Sequence, residues 1–287
     1  MIKTILASLT GSGSDHTVLE AAVAAARLEN GHVQGFHTCI DPIEVAALMG
    51  SVSQRYGDLR PVIQKVSDQA DAKAREAKAT FDDACKRHGL VLAEQCADKN
   101  SICASWKETK GTIDETFDEA RYHDLAVMAR DPTFSPDRIV SVLMFSGRPL
   151  LIAPPKPVKV LGRNVAIAWN ASPESARAVT AASSILAKAD RVSILSVSEN
   201  LAGDSTDRES AERLAKALAW HGVKAEIRMN YPPSGQHSRA LQELAYSDDA
   251  DLLVMGAYGR SRLREFVFGG VTKEMLADCA IPVFLFR

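Results

Sequence analysis

The chain has 287 residues, 46% apolar and 24% charged, a balance typical of a soluble globular protein long enough to bury its core without staples. Lys plus Arg is 34 against 36 for Asp plus Glu, a net charge of -2, which removes the simplest case for a nucleic-acid binder, a basic excess. No apolar run reaches the roughly 18 residues of a membrane helix, and at roughly 100–200 residues per domain the length favours two domains.

In chain order, Thr4-Ile5-Leu6-Ala7-Ser8-Leu9 is too short and too broken by polar residues for a leader and reads as a first strand. Gly11-Ser12-Gly13-Ser14 predicts a tight turn and a helix cap before an Ala-rich helix ending near Gly31. No Walker lysine or G-x-G-x-x-G accompanies it. About 30 additional residues, 41–70, follow the second strand, and Asp68 to Arg87 predicts the solvated face of a long helix. Cys103, Ser105 and Trp106 fall in a polar stretch read as a loop. Thr112-x-x-Glu115 is a capping box. Asp124-Leu125-Ala126-Val127-Met128 is a strand. Ser135-Pro136-Asp137 starts a helix, and Pro154-Pro155-Lys156-Pro157, with Gly162 beyond, reads as a linker.

The second half repeats the first. Asp251-Leu252-Leu253-Val254-Met255 matches 124–128, and Ile281-Pro282-Val283-Phe284-Leu285 matches Arg148-Pro149-Leu150-Leu151-Ile152. The expected strands lie near 164–169, 191–198, 223–229, 251–256 and 281–286. The expected helices lie near 173–188, 205–221, 238–247 and 271–279, the first capped by Ser172 with Pro173 at N1. Apolar runs without alternation fit strands covered on both faces. The fold class is therefore α/β, with two doubly wound parallel sheets in tandem, over domains 1–155 and 163–287.

Where the apolar run 252–255 ends, the chain reads Gly256-Ala257-Tyr258-Gly259-Arg260-Ser261-Arg262-Leu263-Arg264, then Gly269-Gly270-Val271-Thr272 at a helix start. Glycines let backbone amides approach an anion, and a helix N-terminus adds unpaired amides and a positive dipole end. A plain glycine-bearing βα loop remains the alternative.

The segment resembles the universal stress protein signature, G-x2-G-x9-G-[S/T], of that family's ATP-binding branch. Val165-Ala166-Ile167-Ala168-Trp169-Asn170-Ala171-Ser172 resembles its first strand and turn, usually ending Asp-Gly-Ser. The resemblance implies a five-stranded sheet of order 3-2-1-4-5 in each half (Rossmann-like, as in the adenine nucleotide alpha hydrolases), with the last strands of the halves meeting as an intramolecular pseudo-dimer. A homodimer is also open. It implies ATP as ligand, with or without Mg, on Asn170, Val197, Gly256, Tyr258, Gly259, Arg260, Gly269, Gly270, Val271 and Thr272. It further implies a cytoplasmic regulatory or stress-response module that partners an adenine nucleotide and neither nucleic acid nor membrane. Two departures stand out: Gly270 where Ser or Thr is usual, and Asn170 for the aspartate. A nucleotide-free scaffold, a binder of another small molecule and a slow ATPase remain alternatives.

The first copy is expected to lack the triphosphate site. Its loop starts Ala129-Arg130-Asp131-Pro132, without the glycines, with one amide lost to proline and with an added negative charge. Thr10 takes the strand-1 aspartate position. His16, His37 and His123 are weighed as a metal site near strand carboxyl ends, against capping or exposed roles. Asp248, Asp249 and Asp251 are expected in a solvated turn. The five cysteines, Cys39, Cys85, Cys96, Cys103 and Cys279, are expected as reduced thiols.

Overall fold

Apolar runs become strands and Ala-rich amphipathic stretches become helices throughout the computed structural model, which describes residues 1–40, 60–94, 101–112, 114–130, 137–198, 204–257 and 270–287. The first half contains β1 (Thr4–Leu9), α1 (Asp15–Glu29), β2 (His32–Ile40), α2 (Arg60–His88), β3 (Val91–Leu92), β4 (Cys103–Gly111), α3 (Asp114–Ala120), β5 (Leu125–Ala129), α4 (Asp137–Phe145) and β6 (Leu150–Ala153). The second contains β7 (Asn164–Ala168), α5 (Pro173–Ala181), α6 (Ser183–Leu186), β8 (Arg191–Val197), α7 (Asp204–Ala219), β9 (Ala225–Asn230), α8 (His237–Ser247), β10 (Leu252–Gly256), α9 (Gly270–Asp278) and β11 (Val283–Phe286).

The strands order as β3-β4-β2-β1-β5-β6-β11-β10-β7-β8-β9. The second half thus has the 3-2-1-4-5 order, and the first repeats it with the two-residue β3 added outside. Neighbours within each half pair in parallel. The last strands of the two half-sheets meet, as the family resemblance implied. β6 and β11 pair antiparallel, with Leu151 opposite Phe284, and fuse them into one. Six apolar residues meet along this seam, all at most 4% exposed, so two edges that would template aggregation are sealed. One core lies between the sheet and α1, α2, α5, α6 and α7, and the other between the sheet and α3, α4, α8 and α9.

Local chemistry fixes several elements. Ser172 Oγ accepts the Ser175 amide at 3.1 Å and Pro173 sits in the first turn. The helix expected over 173–188 breaks at Ala182, where ψ is 0°, giving α5 and α6. Thr112 Oγ1 accepts the Asp114 amide at 3.2 Å, one residue earlier than in a capping box. The turn after β1 is held by Asp15, not by a Ser14 cap: its carboxylate accepts the amides of Thr10 and Gly11, both at 2.8 Å. Cys103, Ser105 and Trp106 belong to β4, not to a loop. Its outer half is exposed near the sheet edge, so polar residues suit it. Cys39, Cys85 and Cys279 are buried and not in a disulfide. Cys103 is disulfide-bonded, which corrects the expectation of reduced thiols throughout.

The repeated aspartates form a matched pair of clamps. Asp124 Oδ2 accepts the amides of Lys3 and Thr4 at 2.8 and 3.0 Å. Asp251 accepts those of Gly162, Arg163 and Asn164 at 2.7, 3.0 and 3.2 Å. Each ties the strand before the phosphate-loop position to the start of the central strand. Asp251 is therefore structural, and Asp248, 5% exposed, accepts from Arg228 at 3.2 Å; neither is a residue of a solvated turn. Burial alone would raise the Asp124 carboxyl, but the Lys3 and Thr4 amides outweigh it and hold its pKa below the ordinary value. At Asp251 burial wins over its three amides and the pKa is raised.

A depressed folded-state pKa contributes stability that is present above the unfolded value, about 4, and is lost as pH falls through the folded value. Asp124→Asn is therefore expected to cost about 1–3 kcal/mol at pH 7. Urea unfolding at pH 7 and pH 3 should show the gap to wild type narrowing in acid.

Candidate functional site

In an open α/β sheet the crevice for a ligand lies at the carboxyl ends of the strands, where the strand order reverses. In the second half that point is between β7 and β10, whose register sets Ala168 beside Met255. The rim therefore carries Asn170 from one strand and Gly256 from the other. Ala168 also pairs with Leu195, so Val197 stands at the same level on β8. α9 returns from this rim towards the amino end of β11, so its N-terminus, with Gly270 first, belongs to the crevice side. Val271 is partly buried, and Thr272 is 6% exposed in the first turn. An α-helix N-terminus at a switch point offers amides and a positive field end to an anion.

The structure thus brings Asn170, Val197, Gly256, Gly270, Val271 and Thr272 to one side of the sheet. Tyr258, Gly259, Arg260 and Gly269, with Arg262 and Arg264, lie outside the described residues. Asn170 is exposed, but its Oδ1 already accepts the Ser172 amide at 3.2 Å. Its free donors are the two N–H groups of the amide, so it suits a ligand acceptor better than a ribose hydroxyl proton. Trp169 turns away, donating Nε1–H to Ser210 at 3.0 Å.

Gly256 has a second reason to be glycine. A Cβ there would stand 2.6 Å from the Glu174 carbonyl carbon, because the first turn of α5 packs directly on the end of β10. The sequence reading missed Glu174. Its Oε1 accepts from Arg177 at 3.0 Å, while Oε2 is buried without a hydrogen-bond partner. It sets a carboxylate beside the strand end that opens the glycine loop. An acid following Ser172-Pro173 was the available signal.

Ala171 sits at φ +55°, and its counterpart Gly11 at φ +66°. A left-handed alanine is strained. Ala171→Gly is expected to stabilise the protein by about 0.5–1 kcal/mol, since strain relief exceeds the added unfolded-state entropy. A thermal melt should rise, and an unchanged or lower midpoint would contradict the strain.

The three histidines do not assemble. His37 Nδ1 bonds the Leu9 carbonyl at 2.9 Å, His16 is exposed beside Glu20, and His123 bonds the Glu119 carbonyl at the amino end of β5. His123 precedes its strand, so it lies at the opposite sheet end from the crevice. Among the described residues no group of three His, Cys, Asp or Glu could hold a metal.

A sequence model of the Universal stress protein family matches residues 162–287. These residues are a universal stress protein domain. Over 72 residues the chain is 36% identical to a universal stress protein of Synechocystis, a match spanning 25% of this chain and 24% of that protein's length. A universal stress protein from Archaeoglobus fulgidus superposes with TM-score 0.70 over 99% of this chain and 98% of its own, at 16% identity. A Pseudomonas aeruginosa protein described as functionally unknown does so at 0.59, over 99% and 92%, at 14% identity. At such identities the likeness carries the fold alone: the half preceding the universal stress protein domain shares its architecture, fused as a tandem. No helix among the described residues is long and apolar enough to cross a membrane.

Proposed function

We propose that the universal stress protein domain binds an adenine nucleotide, ATP, in the crevice between β7 and β10, and that the chain is a stress-response module controlled by that ligand. The observation that carries this reading is the arrangement at the rim. The glycine-spaced segment leaves β10 at Gly256 and re-enters described structure at Gly270, the first residue of a helix facing the switch point. Backbone amides there suit phosphate oxygens, Asn170 stands across the crevice for the nucleoside, and Thr272 adds a hydroxyl within the same turn. Nothing in this set requires hydrolysis; binding alone can bias the conformation of the loop and thereby a partner surface.

Isothermal titration of the full chain with ATP tests the reading. Saturable one-to-one binding is expected. Gly259→Asp, which puts a side chain and a negative charge into the loop, is expected to weaken it at least about hundredfold, or 2.7 kcal/mol. Unchanged affinity in that variant would remove the site assignment, and stoichiometry near two would place a second nucleotide in the first half. Release of ADP by the wild type would turn the reading towards a slow ATPase.

A further inference from the structure

The seam between β6 and β11 uses one edge of each half, so among the described residues the outer edges of the sheet are β3 and β9. They are unlike. β3 is two residues long, a short edge with little to offer a second strand. β9 has six residues, Ala225–Asn230, and among the described residues it is paired on its β8 side alone. An unpaired edge is a row of backbone donors and acceptors, and so a template for another strand.

The pairing on the inner side settles which groups face outwards. The Ser198 amide donates to the Asn230 carbonyl at 3.1 Å. Asn230, and with it Arg228 and Glu226, therefore turns its backbone groups towards β8. Alternation along the strand turns those of Ala225, Ile227 and Met229 outwards. The side chains alternate as well. Ala225 and Ile227 pack on the core that α7 covers. Glu226 and Arg228 are exposed on the opposite face, joined by a 3.0 Å ion pair. Arg228 Nε also donates to Asp248 at 3.2 Å, which holds the guanidinium in place.

The backbone and charge patterns share one centre, Ile227. An antiparallel β9 from a second copy, with Ile227 opposite the partner's Ile227, matches outward groups to outward groups. Ala225 then exchanges hydrogen bonds with the partner's Met229, and Met229 with the partner's Ala225. The same register sets Glu226 opposite the partner's Arg228, and Arg228 opposite the partner's Glu226. These are the non-hydrogen-bonded pairs, in which side chains come closest, with Cα atoms about 4.5 Å apart. Charges on an edge strand ordinarily keep copies apart. Here the two-fold axis makes each opposed pair opposite in sign. Sliding the partner by two residues either way would set Glu226 against the partner's Glu226, or Arg228 against the partner's Arg228. The charges thus select one register.

We propose that the outer edge of β9 pairs antiparallel with β9 of a second copy of this chain, centred on Ile227, so that the sheet continues across a two-fold axis. Trp220, 91% exposed just before the strand, stands at the end where the partner's β9 runs out, and adds apolar surface there. A contact of one short strand from each copy belongs to the weak, reversible class of association. This inference does not depend on nucleotide binding.

Sedimentation equilibrium of the full chain tests the proposal. A reversible monomer–dimer equilibrium is expected at concentrations up to about a millimolar. Glu226→Arg opposes like charges at two symmetric places and is expected to weaken the dimer about tenfold. Ala225→Pro removes an outward amide from each copy at the first residue of an edge strand, where proline is tolerated, and is expected to weaken it by a similar factor. Glu76→Arg makes the same change of charge at an exposed position of α2, and is expected to leave the dimer unchanged. Hydrogen exchange locates the contact: the segment 225–230 should gain protection as concentration rises. A chain that stays monomeric at a millimolar, a dimer that Glu226→Arg leaves intact, equal weakening by Glu76→Arg, or protection confined to another segment would each overturn the proposal. Glu226→Arg changes only an exposed side chain, so it keeps the test decisive if Ala225→Pro fails to fold.

Discussion

Gly11→Ala is expected to destabilise the protein by about 2–5 kcal/mol. Two costs add. The residue sits at φ +66°, a left-handed conformation that costs an L-residue about 1–2 kcal/mol. The new methyl would also be driven into the Lys73 backbone of α2, an overpacking penalty of about 1–3 kcal/mol. The second half provides the control, because Ala171 holds the same turn at φ +55° in an exposed position. The fold therefore tolerates a Cβ in this conformation when no helix covers it. Urea midpoints of Gly11→Ala and Ala171→Gly, read together, separate strain from the α2 contact. A Gly11→Ala loss no larger than the Ala171→Gly gain would mean that α2 does not press on the turn.

Phe284→Ala should cost more, about 3–5 kcal/mol, the usual range for emptying a fully buried aromatic site. Phe284 is 0% exposed and stands where the halves join, paired with Val254 on β10 and Leu151 on β6. Because the eleven strands among the described residues form one sheet, the loss should be felt on both sides of the seam. Trp106 reports the first half through its contact with Phe81, at 5.3 Å between ring centroids, and Trp169 reports the second through Ser210. Single-tryptophan variants retaining one or the other should show both fluorescence transitions moving to lower urea. If only the Trp169 transition moves, the halves unfold independently and the seam contributes little to cooperativity.

Much of the candidate site could be read from residues alone. Ser172-Pro173 announced a capped helix after β7, and the gap from Gly256 to Gly270 announced a glycine loop running from strand to helix. Asn170 and Val197 were placed on the rim by the strand order that the family resemblance implied. The reason for Gly256 was only half legible. Its spacing suggested room for phosphate, yet the structure also needs its missing Cβ for α5 to close on β10. Glu174 was overlooked because an acid in a first helical turn is ordinary. Its unusual property, a buried oxygen without a partner, arises only from packing. The histidines were grouped by nearness to strand ends along the chain, and His123 lay at the wrong end of its strand.

The sequence by itself determined that this chain is one α/β unit written twice, where the strands and helices of the second copy fall to within a few residues, and that the glycine pattern belongs to the second copy alone. Those properties are local: apolar runs, caps and glycines act on neighbours a few positions away. Tertiary structure alone decided which residues of β6 and β11 face each other where the copies meet, that Asp124 and Asp251 clamp strand starts roughly a hundred residues distant, and that α2 closes over Gly11. Each is a contact between segments far apart in the chain, fixed by which buried surfaces and polar groups must satisfy one another once the sheet has formed, and no local periodicity records it. The length and near-zero charge with which the chain begins thus resolve into two similar halves whose crevices differ in what presses on them.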